Sequence, residues 1–215
     1  KIPFYLKALN QIEKTCLERG TKFALLIDFQ TFNLKLARRL KEKGIQVFYY
    51  VAPQAWAWKS YRAEILEKTV NTLFTIIPFE KKWFEDRGVK NVVSVDHPLL
   101  RQHKAALEKL SKITQKPSRL LLLPGSRSFE VKNLLPVFIE TAKRLKESYS
   151  LKVDIVWSSS VKRSFLSPYE GFFNNIFDDS ELDTALIEND IALAASGTVT
   201  LTCALFQVPT CVAYK

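Results

Sequence analysis

Short apolar runs alternate with amphipathic stretches along nearly the whole chain, and this alternation limits the fold more than any other feature. Phe23-Ala24-Leu25-Leu26-Ile27 reads as a buried strand, followed at helical spacing by Leu34, Leu36, Ala37 and Leu40. Gly44 stops that helix, and Ile45 to Val51 reads as the next strand. The cycle continues with a helix near 60–70, a strand over 72–77, a helix over 79–87 and a strand over 91–95. A helix over 101–113 then leads to Thr114-Gln115-Lys116-Pro117-Ser118, a polar stretch expected to divide two domains, 1–116 and 117–215. Beyond it, strands are expected at 120–123, 151–157, 172–177, 190–195 and 208–213, with helices at 128–148, 179–188 and 198–206. Apolar strands alternating with helices build parallel sheets covered on both faces. The expected class is therefore α/β, with two Rossmann-like domains and ligand sites at the carboxyl ends of their strands.

The composition, 47% hydrophobic and 25% charged, supplies a core and excludes a disordered chain or a disulfide scaffold. The net charge of +10 is uneven. Residues 1–116 hold 22 Lys and Arg against 11 Asp and Glu, whereas residues 117–215 are close to neutral. Such asymmetry suggests an anionic partner for the first half. Solvated helix faces carrying Lys35, Arg38, Arg39, Lys41 and Lys43 explain it equally well. A nucleic-acid partner is not expected, because no recognisable RNA-binding motif accompanies the charge. Cys16, Cys203 and Cys211 lack CxxC spacing and read as reduced thiols, and with only His97 and His103 no zinc site is expected. No apolar run approaches the roughly 20 residues that span a bilayer. The chain has no Met, which leads us to expect a segment of a longer protein.

Four loops at strand ends could carry chemistry. In Leu123-Pro124-Gly125-Ser126-Arg127 a strand turns directly into a helix, whose N-terminus offers free N–H groups beside an arginine fork suited to phosphate oxygens. This is either a diphosphate site or an ordinary turn capped by Ser126. Ala195-Ser196-Gly197-Thr198 repeats the arrangement, and the two loops together favour an anionic ligand. Asp28, at the end of the first strand, suits a general base and suits an N-cap or turn equally. Trp56 and Trp58 suit either core or a wall for an apolar ligand.

Read together, IDFQTFNLKLARRLKEKGI, YYVAPQAWAWK, PFEKKWFEDRGV, VDHPL, LLLLPGSRSFEV and LAASGTVTLTCALFQVPTCVAYK resemble the lipid-A-disaccharide synthase family in order and spacing over nearly the whole chain. The resemblance implies a GT-B glycosyltransferase, two Rossmann-like domains facing across a cleft, truncated here at both ends. It implies inverting transfer of 2,3-diacylglucosamine from UDP-2,3-diacylglucosamine to 2,3-diacylglucosamine 1-phosphate (lipid X), giving the lipid A disaccharide 1-phosphate and UDP. On that carry-over Asp28 is catalytic, and Gly125, Ser126, Arg127, Glu130, Ser196, Gly197, Thr198 and Thr202 bind the nucleotide. Trp56 and Trp58 would wall the acyl chains. No metal or other cofactor is implied. The implied setting is cytoplasmic, peripheral on the anionic inner face of the inner membrane, with a homodimer formed through a C-terminal segment. The chain departs from the family's pattern at Thr31, Asp96 and Thr202, where Asp, Gly and Glu are usual. These departures keep open an alternative, a nucleotide-sugar-binding module of the same fold without turnover.

Overall fold

A computed structural model of the chain describes residues 2–110 and 117–214, so Thr114, Gln115 and Lys116 of the expected linker lie outside the described residues. The chain forms two compact units that divide between Pro98 and Leu99.

The first unit runs α1 (Ile2–Glu18), β1 (Phe23–Ile27), α2 (Gln30–Glu42), β2 (Gln46–Tyr50), α3 (Arg62–Thr69), β3 (Thr72–Thr75), α4 (Glu80–Glu85) and β4 (Val92–Ser94). Its four strands are parallel in the order β1-β2-β3-β4. Helix α2 shows how the sequence sets a boundary. The Gly44 N–H bonds to the Lys41 carbonyl and the Ile45 N–H to the Leu40 carbonyl, each at 3.0 Å, with Gly44 at φ 75°. This paired closure needs a left-handed residue after the helix, which glycine adopts without strain. It also brings buried Ile45 onto buried Leu40 and launches β2 into the core.

Helix α1 was not anticipated from sequence. Ile2, Tyr5, Leu6, Leu9, Ile12 and Cys16 recur there at helical spacing, yet among the described residues Leu9 is its one fully buried apolar side chain, and Phe4, Tyr5, Leu6, Ile12 and Leu17 stay exposed. Arg39 ties it to α2 by donating to Asn10 Oδ1 at 2.6 Å and Glu13 Oε2 at 3.4 Å. The run 23–27 forms a strand as expected but is not buried throughout. β1 lies at the sheet edge, and Phe23, Leu25 and Ile27 are each more than half exposed on one face.

The second unit holds α5 (Pro98–Gln102, its first residue at the division), α6 (Lys104–Leu107), β5 (Arg119–Leu123), α7 (Ser128–Tyr149), β6 (Lys152–Trp157), β7 (Asn175–Asp178), α8 (Leu182–Glu188), β8 (Ile191–Ala195), α9 (Thr198–Leu205) and β9 (Thr210–Ala213). Short 3₁₀ turns fill 163–165, 167–172 and 179–181. All five strands are parallel, in the order β7-β6-β5-β8-β9. Alternate leucines of β5 face opposite cores. Leu120 and Leu122 pack with α7, and Leu121 and Leu123 with α8 and α9. All four are buried, each worth roughly 1.5–3 kcal/mol, which explains why this strand reads as continuously apolar.

The helix expected over 101–113 is interrupted at His103, and residues 111–113 lie outside the described set. The cause is tertiary. His103 is drawn inward, its Nδ1 2.6 Å from Asp183 Oδ1 and its ring edge-on to Phe206, while Ala106, Leu107 and Leu110 pack on the second unit's core. The segment from Leu99 onward thus belongs with the second unit, and His97-Pro98, not the stretch 114–118, marks the division.

Candidate functional site

In the second sheet the chain order reverses at β5, whose neighbours are β6 on one side and β8 on the other. Open parallel sheets bind ligands at such a switch point, because the loops leaving the two central strands diverge there. A pocket of about 340 Å³ occupies this position.

One wall is the turn after β5. Gly125 has φ 108°, a backbone that strains any residue with a Cβ; a Cβ would also meet Glu130 Cβ at 3.1 Å and the movable Glu130 Oε2 at 2.7 Å. Arg127 is the N-cap of α7, with extended backbone and no side-chain cap, which leaves the helix's first N–H groups open. Ser126 therefore does not cap the helix. Arg127 Nη1 donates to Glu130 Oε1 at 2.6 Å from an exposed position.

The opposite wall is the turn after β8. Ser196 N–H bonds to the Ala213 carbonyl at 2.9 Å, and Gly197 leads into α9, again without a side-chain cap. Gly125, Ser126, Arg127, Glu130, Ser196, Gly197 and Thr198 all line the one pocket. Thr202 is set apart from it. One helical turn beyond Thr198, it is 2% exposed, and its hydroxyl donates to the Thr198 carbonyl at 3.5 Å.

Sequence reasoning missed four further lining residues, Val156, Ser158, Asp179 and Leu182. Ser158 follows directly on β6 and Asp179 on β7, so the available signal was position: each is the first residue beyond an apolar strand.

In the first unit, Asp28 leaves β1 at φ 48°, and Phe29 follows at φ 42°. Two successive left-handed non-glycine residues cost roughly 1–2 kcal/mol each and persist only where the surroundings hold them. The hold here is on the backbone. Asp28 N–H bonds to the Tyr50 carbonyl at 3.0 Å, and its carbonyl accepts from Tyr49 Oη at 2.6 Å and Asn33 Nδ2 at 2.8 Å. The carboxylate stays exposed. Burial pushes the Tyr49 phenol well above its ordinary pKa; the Asp28 charge raises it further, and Arg62 opposes both. Tyr49 thus remains a protonated donor.

Buried Arg62 donates to Gln30 Oε1, and its guanidinium lies 5.4 Å from the Trp58 ring centre. Lys59 Nζ sits 4.3 Å from the same ring. Trp56 donates from Nε1 to Glu80 Oε1 at 3.0 Å and meets Phe79 edge-on, with 37% of its surface exposed against 56% for Trp58. Neither indole is buried core, and Trp56 is fixed as a rigid half-exposed face. Tyr49, Arg62 and Glu80, which hold this cluster together, were not singled out from the sequence. Among the described residues, no group of three or more His, Cys, Asp or Glu could hold a metal ion, and no helix is long and apolar enough to cross a membrane.

Two parallel α/β units, the second with glycine turns and uncapped helix ends around a switch-point pocket, define a protein of the GT-B fold class. Solved structures agree on the fold. A Staphylococcus aureus MnaA–UDP co-structure matches with a TM-score of 0.61 at 11% identity, covering 98% of this chain and 63% of that one. The UDP-GlcNAc 2-epimerase of Methanocaldococcus jannaschii matches at 0.57 and 14%, covering 97% and 65%. The family model for lipid-A-disaccharide synthetase matches residues 1–215, and the chain belongs to that family of glycosyltransferases. The lipid-A-disaccharide synthase of Nitrosococcus oceani is 35% identical over 217 residues, covering 97% of this chain and 56% of that protein. That of Anaeromyxobacter dehalogenans (strain 2CP-C) is 34% identical over 227 residues, covering 100% and 58%. The chain thus spans somewhat over half the length of these relatives.

Proposed function

We propose that the protein acts in lipid A biosynthesis as an inverting hexosyltransferase. It moves 2,3-diacylglucosamine from UDP-2,3-diacylglucosamine onto the 6-hydroxyl of 2,3-diacylglucosamine 1-phosphate (lipid X) and releases UDP. The observation that carries this reading is the convergence of the Gly125–Arg127 and Ser196–Thr198 turns on one pocket, in a chain of this family.

The chemistry follows from charge. As the bond to the donor's anomeric carbon breaks, negative charge collects on the UDP leaving group. Open N–H groups at the starts of α7 and α9, together with Arg127, suit the stabilisation of that charge without a metal. The acceptor hydroxyl must lose its proton as it attacks, and exposed Asp28, its backbone clamped by Tyr49 and Asn33, is the base we assign. Single displacement inverts the anomeric centre. Trp56 and Trp58 offer apolar faces to acyl chains, with Lys59 beside them for an anionic group. The excess of Lys and Arg in residues 1–116 favours a peripheral position on an anionic membrane surface.

The test is formation of disaccharide 1-phosphate and UDP by the full-length protein supplied with both lipid substrates. Product formation is expected. Binding of UDP without disaccharide would replace this reading with a nucleotide-sugar-binding module.

A further inference from the structure

The turn after β6 is a run of three serines, Ser158-Ser159-Ser160, and it joins two other strand ends. Ser159 donates to Asp179 Oδ2 twice, from its backbone N–H and its hydroxyl, each at 2.8 Å. Ser160 Oγ donates to the Ser126 carbonyl at 2.7 Å. That bond uses the only hydroxyl proton of Ser160, so in the 2.8 Å pair between Ser158 and Ser160 the donor is Ser158. The 3.4 Å contact of Ser158 with Asp179 is then secondary. A directed chain results, running from Ser158 through Ser160 to the carbonyl of Ser126, while Asp179 holds the same turn separately through Ser159. Bonds in such a chain polarise and strengthen one another.

The consequence lies in the peptide between Ser126 and Arg127. A trans peptide is planar, with its C=O and N–H pointing in opposite directions. Holding the Ser126 carbonyl on Ser160 therefore fixes the direction of the Arg127 N–H, on the loop that lines the pocket. Among the described residues, no side-chain cap orients this end of α7.

We infer that Ser160 is a positioning residue for phosphate binding: through the Ser126 carbonyl it braces the Gly125–Arg127 turn and sets the direction of its donor before the ligand arrives. The inference rests on the reading of this pocket as a UDP site. Preorganised donors bind more tightly because the ordering cost is met in advance. A residue acting in this way should matter for the diphosphate and not for the nucleoside.

The experiment is titration of the full-length protein with UDP and, separately, with uridine by competition. Ser160→Ala should weaken UDP roughly three- to ten-fold, the net worth of one hydrogen bond, and leave uridine unchanged. Its unfolding midpoint should not move, because Ser160 is exposed. Ser160→Thr, which keeps the hydroxyl, should restore UDP affinity. Unchanged UDP affinity in Ser160→Ala, or an equal loss for UDP and uridine, overturns the inference and leaves the pocket reading standing. A parent protein that binds no UDP overturns both.

Discussion

Arg127 Nη1 stands 2.6 Å from Glu130 Oε1, so the guanidinium on the pocket wall is already paired with a carboxylate of the same wall. Arg127 is 80% exposed, and an ion pair in that setting is worth at most about 1 kcal/mol. A diphosphate would offer the same guanidinium a bidentate, doubly charged partner and should win the exchange. Arg127→Ala should weaken UDP binding by roughly 10- to 100-fold, the range for loss of a charge-assisted contact. Glu130→Gln removes a competitor and a like charge, and should tighten UDP by roughly two- to five-fold. Calorimetric titration checks both. Weaker binding in Glu130→Gln would mean that the carboxylate contacts the ligand itself.

The left-handed turn before Arg127 strains any residue that carries a side chain. Gly125→Ala would place a methyl group 2.7 Å from Glu130 Oε2, on a backbone with φ 108°. We expect a loss of about 1–3 kcal/mol in denaturant unfolding, together with loss of UDP binding. A change under about 0.5 kcal/mol would show that the turn relaxes more readily than the geometry allows.

Asp154 of β6 is fully buried, and its Oδ2 accepts from Arg119 Nη2 at 2.6 Å and Nε at 3.2 Å. Its other oxygen accepts the Asn175 N–H at 2.9 Å. Arg119→Met strands a buried carboxylate and should cost about 3–5 kcal/mol. The pocket is formed by other loops, so UDP affinity measured well below the unfolding temperature should hold. Unfolding curves that superimpose on the parent's would contradict this assignment.

The division at Pro98 has a direct consequence for fragments of the second unit. A fragment beginning at Leu99 keeps His103 on Asp183 and the apolar cover of Ala106, Leu107 and Leu110. One beginning at Pro117 exposes the core beneath them. The longer fragment should unfold at higher denaturant concentration, and equal midpoints would return the segment to the role of a linker.

Much of the fold is legible in the sequence because strands buried on two faces cannot hide. Leu120 to Leu123 is continuously apolar for that reason, and the turns at Gly125 and Gly197 announce themselves by residue type. What stays illegible depends on distant partners. His103 breaks a helix because of Asp183, 80 positions away, and Ser158 meets Asp179 only once β6 and β7 pair. Thr202 shows how helix geometry separates residues that lie close in sequence. The resemblance places it at the nucleotide, whereas here one turn of helix carries it into the core, away from the pocket lining. Around Asp28 the strand end was legible, but the left-handed backbone and its clamp on Tyr49 arise only when β1 lies beside β2.

Asp28→Asn tests the central claim most directly, because the bonds that hold this turn go to its backbone and not to its carboxylate. Asparagine also tolerates left-handed backbone well, so the fold should be undisturbed. The measurement is disaccharide formation by the full-length variant, with UDP affinity and unfolding midpoint recorded alongside. We predict transfer reduced by roughly 10²- to 10⁴-fold, as for loss of a general base, with affinity and midpoint unchanged. Transfer at the parent's rate would contradict Asp28 as the base and the mechanism built on it.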